Sequence, residues 1–243
     1  MTRFFVEAGD LTLESIVLSG ENASHAKVLR LKEGEQVLTC DGQGNECLCV
    51  VSDTANGDYV LNVIERRASE SEAKVNVSIY MAFPKADKLE HVIQKATELG
   101  ACEIVTFPSA RCVSKPDDKS LKKKLERWKK IASSAAEQSG RGRIPEVLVV
   151  PSFSAALERA ADADLPIMFY ENEQATTLKM ALESGIYRSV SLLSGPEGGL
   201  EPKEVEMARR AGLKICTLGK RILRCETAPL CGLSAVMYAS GEF

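Results

Sequence analysis

The chain has 243 residues, 44% hydrophobic and 27% charged, with a formal net charge of −3 at pH 7. That is enough chain for one large domain or two small ones with a real core, and the composition excludes a disordered or fibrous protein. No apolar run reaches the roughly 18 residues of a membrane-spanning helix, and the start MTRFFVEAGDLTLE has no apolar h-region, so a cytoplasmic protein without membrane association is expected. The eight cysteines, at 40, 47, 49, 102, 112, 216, 225 and 231, include no C-x-x-C pair, and the two histidines, His25 and His91, lie far apart. Reduced thiols and no metal site follow.

In chain order, the first 70 residues read as β. Short apolar stretches, QVLTC and YVLNVI, alternate with turn chemistry at Asp41–Asn45 and Asn56–Asp58, the pattern of a small barrel built of hairpins. The exception is ENASHAKVLRLKEGE, a short helix ending near Gly34 with Ala26, Val28 and Leu29 on one face. RRASESEAK (66–74) has no large apolar residue and reads as a linker. Beyond it the period changes. VNVSIYMAF is a strand, and DKLEHVIQKATELG spaces Leu89, Val92, Ile93 and Ala96 for a helix that Gly100 ends. CEIVTF is the next strand. A long helix follows, with Leu121, Leu125, Trp128, Ala132 and Ala135 on one stripe, lysines on the other, and Gly140 at its end. Strands at EVLVV, LPIMFY, SVSLLS and KICTL then alternate with helices at FSAALERAA, TTLKMALES, PKEVEMARRAG and PLCGLSAVMYAS. Such alternation makes a doubly wound parallel sheet. The expected division is a β domain over 1–70 and an α/β domain over 71–243.

Charge is unevenly distributed: acidic residues dominate the first 70, whereas Arg111–Arg143 holds 11 basic and 4 acidic residues. A solvated helix face explains such a cluster, and so does a phosphate-binding surface, since counterion release rewards clustered Lys and Arg whatever the total charge.

In open α/β sheets ligands sit beyond the carboxyl ends of the strands. Two late strands end in unusual sequences there: SVSLLS runs into Gly195-Pro196-Glu197-Gly198-Gly199, and KICTL into LGKRILRCETAPL. Glycines let the backbone approach a ligand. The P-loop lysine is absent and Glu197 would repel phosphate, so an uncharged or cationic ligand fits better, unless the glycines serve only a tight turn. In the second segment Arg221, Arg224, Glu226 and Thr227 crowd between strand and helix. Thr227 is equally suited to cap the last helix, with Pro229 in its first turn.

LLSGPEGGLEPKEV followed by LGKRILRCETAPL resembles the C-terminal signature of the SPOUT methyltransferases, and more narrowly the RsmE family, which methylates N3 of a uridine in 16S rRNA. The likeness extends through RFF (3–5), HAKVLRLKEGE (25–35), KLEHVIQKATELG (88–100), SARC (109–112), RWKKIASSAAEQSGR (127–141) and IPEV (144–147). It implies a PUA-like β-barrel followed by a SPOUT α/β domain with a C-terminal trefoil knot, acting as a homodimer on the small ribosomal subunit. It also implies S-adenosylmethionine held by Leu193, Gly195, Glu197, Gly198, Gly199, Leu218, Gly219, Ile222, Leu223, Thr227 and Ala228. In that reading Arg224 stabilises charge developing on the uracil carbonyls, and Glu197 or Glu226 takes the N3 proton or orients the ring. Arg3, Arg30, Arg111, Lys122, Lys123, Arg127, Arg141, Arg143 and Arg221 become the RNA surface. Leu230, Leu233, Val236 and Met237 are candidates for the subunit interface, with core packing an equal explanation. The competing expectations are a SPOUT enzyme acting on a ribose 2′-hydroxyl and a non-catalytic RNA-binding assembly factor.

Overall fold

Alternating apolar and polar positions build the first sheet from five strands, β1 (Arg3–Phe5), β2 (Ser15–Leu18), β3 (Gln36–Cys40), β4 (Asn45–Asp53) and β5 (Tyr59–Ala68). The computed structural model describes residues 1–54, 57–113, 117–183 and 185–243, leaving aside the side chain of Asp118. Asn56 of the second expected turn, Lys115 of the basic segment and Ser184 of an expected helix end lie outside the described residues. The strand order is β1-β3-β4-β5-β2, antiparallel except for β1 with β3. Register shifts after Leu48 and Val51 curl the sheet. The expected barrel is thus a curled sheet with β1 and β2 as its edges. Phe4, Ile16, Leu18, Val37, Cys49 and Leu61 fill its concave side together with Ala23 and Ala26 of α1 (Gly20–Val28). Val28 and Leu29, expected on the buried face of that helix, are exposed. The expected linker begins as strand, since β5 runs to Ala68.

The chain forms two compact units, residues 1–72 with 136–144, and residues 73–135 with 145–243. The expected boundary at 70 therefore misses a return of the chain. In the first unit Gly142 O accepts from Gly44 N at 3.1 Å, and Ile144 N donates to Gly42 O at 3.0 Å. Glu72 accepts from the backbone N–H groups of Gly142 and Arg143 and from the Arg141 guanidinium. A turn, a linker carboxylate and a distant segment thereby satisfy one another's backbone groups, as buried polar groups must.

The second unit has six parallel strands. They are β6 (Asn76–Ala82), β7 (Glu103–Phe107), β8 (Glu146–Val149), β9 (Leu165–Phe169), β10 (Ser189–Ser194) and β11 (Lys214–Cys216). Their order is β11-β9-β10-β6-β7-β8, so β10 lies between β9 and β6. The near-continuous apolar run VSLL in β10 is what a strand buried on both faces requires. The helices are α2 (Lys88–Glu98), α3 (Asp118–Gln138), α4 (Phe153–Ala161), α5 (Leu178–Leu182), α6 (Pro202–Arg210) and α7 (Thr227–Ala239). Ser191 donates to Ala160 O of α4, whereas Leu192 meets Gly232 of α7. Alternation along the strand therefore puts α4 and α7 on opposite faces. Trp128, Ala132 and Ala135 of the expected α3 stripe are buried.

Leu233, Val236 and Met237 are buried within the chain, which assigns them to core packing rather than to a subunit interface. The expectation for Thr227 as helix cap is also corrected: it is the first residue of α7, and no side chain caps that end. A Cβ on Gly232 would sit 2.4 Å from Cζ of Phe169. Gly232→Val is expected to cost about 2–3 kcal/mol through overpacking, lowering the thermal midpoint by roughly 5 °C or more; differential scanning calorimetry measures it.

Candidate functional site

Three strands of the second unit, β9, β10 and β11, end beside one another, and the segments that follow them enclose a cavity of about 440 Å³. The volume is that of a small-molecule site. After β10, Gly199 N closes a tight turn onto Pro196 O at 2.9 Å. Gly199 has φ +68°, and a Cβ there would lie 2.5 Å from Oε1 of Glu171, so any other residue would strain the left-handed turn and push the Glu171 carboxylate aside. The loop's exit is anchored by Glu204, buried in the first turn of α6, which accepts from Glu201 N at 2.8 Å and Ala110 N at 2.9 Å. Arg111 donates to Gly198 O at 2.9 Å.

After β11, the Thr217 hydroxyl accepts from Gly219 N at 3.2 Å. The chain then runs past Arg221, Ile222 and Leu223 to Arg224, whose carbonyl accepts from Thr227 N and Ala228 N as α7 begins. Among the described residues the Arg224 guanidinium has no partner, and the side chain is exposed at the cavity wall. At the end of β9, Phe169 and the following Tyr170 and Glu171 add to the lining, as does Lys88.

Lys88, the first residue of α2, brings the two glutamates together. Its ammonium lies 3.1 Å from Oε1 of Glu197 and 3.2 Å from Oε2 of Glu226. Glu197 also accepts from Lys85 N at 2.9 Å. Partial burial alone would raise the Glu197 carboxyl, but the Lys85 N–H, its own N–H and the Lys88 ammonium outweigh it and hold it below the ordinary value. Glu226 is likewise held low despite burial, by its own N–H, the Cys225 thiol and Lys88. Lys88 is raised, first by Glu197 and then, against desolvation, by Glu226. Burial, with Glu226 and Glu197 adding to it, pushes the Cys225 thiol up to about 12, so it stays protonated and donates to Glu226 at 3.2 Å.

The structure brings together Gly195, Glu197, Gly198, Gly199, Leu218, Gly219, Arg221, Ile222, Leu223, Arg224 and Ala228 of the expected residues as cavity lining. Leu193 is not among them: it is fully buried in β10. Thr227 does not line the cavity either, and Glu226 reaches it through Lys88 and Cys225. Sequence reasoning missed Phe169, Tyr170 and Glu171 because only glycine-rich strand ends drew attention, although the strand-end rule covers every strand. Lys88 carried a signal too: a cation at a helix N-terminus opposes the helix dipole unless an anion faces it.

Two residues expected to contact RNA are structural. Arg3 is buried, with its guanidinium 2.8 Å from Glu46, and Arg141 is buried against Glu72 at 2.6 Å. Each carboxylate holds its guanidinium inside the first unit, where a phosphate cannot reach it. Arg30, Lys122, Lys123, Arg127 and Arg221 are exposed, and Arg127 pairs with Glu90 at 2.7 Å. Arg143 is partly buried, and Arg111 is exposed while bonded to the glycine loop.

Gly199→Ala is expected to cost about 1–2 kcal/mol through the left-handed turn, lowering the thermal midpoint by roughly 2–8 °C while leaving the far-ultraviolet circular dichroism unchanged; differential scanning calorimetry reads the shift. The triad also has a pH window. Glu226 is depressed in the fold, so its contribution to stability is present above the unfolded carboxylate value and is lost as pH falls through the folded one. The difference in thermal midpoint between the parent chain and Glu226→Gln should be constant from about pH 6 to about pH 9 and vanish toward about pH 3.

Residues 71–237 match the RNA methyltransferase domain family and residues 18–64 the RNA methyltransferase PUA domain. Ribosomal RNA small subunit methyltransferase E of Bacillus subtilis strain 168 is 41% identical over 247 aligned positions, covering 98% of this chain and 96% of the relative. The protein of that name from Mycobacterium bovis is 34% identical, covering 96% of this chain and 90% of its own length. The crystal structure of the Neisseria gonorrhoeae ribosomal RNA small subunit methyltransferase E bound to S-adenosylmethionine has a TM-score of 0.87 at 28% identity, covering 98% of this chain and 97% of that one. With both units and nearly every residue accounted for by these likenesses, the chain belongs to the ribosomal RNA small subunit methyltransferase E family of RNA methyltransferases.

Proposed function

We propose that this chain methylates N3 of a uridine in 16S rRNA, using S-adenosylmethionine, during maturation of the small ribosomal subunit in the cytoplasm. One observation carries the reading: a cavity of about 440 Å³ lies at three strand ends, walled by backbone from Gly195–Gly199 and 217–225, in a chain of this family. The fit is chemical as well as spatial. Missing Cβ atoms uncover main-chain donors and acceptors for adenine, ribose and a methionine tail, and Glu197 and Glu171 tolerate a cationic ligand where they would repel a phosphate.

S-Adenosylmethionine, when bound, supplies an electrophilic methyl group on a sulfonium. The chain has to position the uracil ring in line with it, and much of the acceleration follows from that positioning. The uracil imide must lose its N3 proton, and a fixed cation near its carbonyls stabilises the resulting anion. Arg224, exposed at the cavity and without a partner among the described residues, suits that task. Glu197 and Glu226 are poor proton acceptors as they stand, because hydrogen bonds and Lys88 hold both below the ordinary carboxylate value; the N3 proton passes instead to solvent water, Glu197 at the cavity wall orients the ring, and Glu226 holds Lys88. The target base has to be presented outside a stack, and exposed Lys122, Lys123 and Arg30 are suited to the RNA backbone. A trefoil knot through residues 195–243 and a homodimer belong to the same proposal. Because Leu233, Val236 and Met237 are buried, the dimer contact would use the outer face of α7, where Cys231 and Tyr238 are exposed.

Binding of S-adenosylmethionine by the purified chain, and absence of 3-methyluridine from 16S rRNA of a strain lacking it, test the reading together. Arg224→Ala is expected to lower turnover about 100-fold with cofactor affinity within about threefold of the parent. Paired Lys122→Glu and Lys123→Glu substitutions should weaken RNA binding and flatten its salt dependence, whereas equal turnover by Arg224→Ala would remove that residue from the chemistry.

A further inference from the structure

Lys88 stands outside both glycine-rich segments, yet among the described residues it is the one side chain bonded to both. Its ammonium meets Glu197 of the loop after β10 and Glu226 of the segment after β11, and lies 3.8 Å from Sγ of Cys225. A second contact from the same loop reinforces it, since Lys85 N donates to Glu197 at 2.9 Å. Between these two residues Ala86 has φ +55°, a left-handed conformation that residues bearing a Cβ rarely adopt. Strain of this kind persists only where surrounding contacts over-determine it, and such sites are often functional. Here the left-handed turn brings a backbone N–H and a side-chain ammonium, three residues apart, onto one carboxylate.

The charge pattern explains why one lysine suffices. Glu197 and Glu226 are both ionised and both reach toward the same point, so without a cation between them they would repel and push the two segments apart. Side chains of all three are about three-quarters buried, at 25%, 25% and 21% exposure, which reduces solvent screening relative to a surface pair. Arg224, by contrast, is adjacent to this network without joining it.

We propose that Lys88 is a positioning residue that sets the spacing of the two cofactor-binding segments before any ligand arrives, with the strained 85–88 loop as the cavity's third support. This rests on the cavity being the S-adenosylmethionine site, as argued above. Pre-organised loops lose less freedom on binding, so the effect belongs in cofactor affinity.

The test begins with the ligand-free full chain, by amide hydrogen exchange. Gly199 N–H reports the first segment, and Thr227 and Ala228 N–H the second. In Lys88→Met, which keeps the aliphatic stem, all three should exchange about tenfold faster while Val190–Leu193 are unchanged; Lys88→Arg should restore protection to within about threefold. Affinity for S-adenosylmethionine should fall about tenfold in the methionine variant, with turnover at saturating cofactor within about threefold of the parent. Faster exchange in one segment only, or a change below twofold in both, overturns the proposal, as does a fall in saturated turnover with unchanged affinity. A parent chain that binds no S-adenosylmethionine defeats the functional reading instead, and the exchange measurement still decides the role of Lys88.

Discussion

Strand β10 lies between β9 and β6, and both neighbours precede it in the chain. Until residues 189–194 take their place, the two halves of the second sheet have no ladder in common. Six register pairs to β6 and four to β9 then join them, and the apolar run VSLL is buried on both faces. This placement also decides where the cavity forms. The end of β10 is flanked by the end of β9, and β11 lies beyond β9, so the glycine loop and the segment before α7 emerge side by side. Closing such contacts late, across more than a hundred residues between β6 and β10, is expected to make folding slow relative to a helical domain of equal size.

Around that centre the ionised groups divide by burial. Glu46 takes up Arg3 and Arg67, Glu72 takes up Arg141, and Glu204 receives two backbone N–H groups. These contacts satisfy groups that burial would otherwise penalise. Arg224 and Arg221 stay exposed at the cavity, and the lysines of α3 stay exposed along that helix. Whether a basic residue is available to a polyanion is therefore decided by the presence of a buried carboxylate beside it, which a count of charges along the chain does not register.

The alternation of strands and helices was legible from periodicity, and the observed elements differ from the expected ones mainly at their ends. The two glycine-rich segments were legible as a site because they break a strand-helix rhythm with residues of no use to either element. What escaped has a common cause. Lys88, Glu171, and the partners of Arg3 and Arg141 depend on contacts between residues 28 to 138 positions apart, and local pattern does not encode which distant carboxylate an arginine or lysine meets. The curl of the first sheet was readable only as hairpins; its open edges depend on pairing β1 with β3 in parallel, a connection no turn signal announces. On α1 the expected Ala26 is buried, but its companion is Ala23 rather than Val28 and Leu29, which are exposed, because small residues suffice where the helix lies close to the sheet.

The return of residues 136–144 to the first unit means that the units are not separable at one point in the chain. Three passages of backbone join them, near 72, 135 and 144. A fragment ending at 72 would keep all five strands of the first sheet but strand Glu72 without its two main-chain donors and Arg141, and would leave the Asp41–Asn45 turn without Gly142 and Ile144. The first unit is thus a discontinuous module. It cannot be gained, lost or exchanged during evolution by a single joining event at its C-terminal boundary, and a change in the length of α3 has to be accommodated in both units at once.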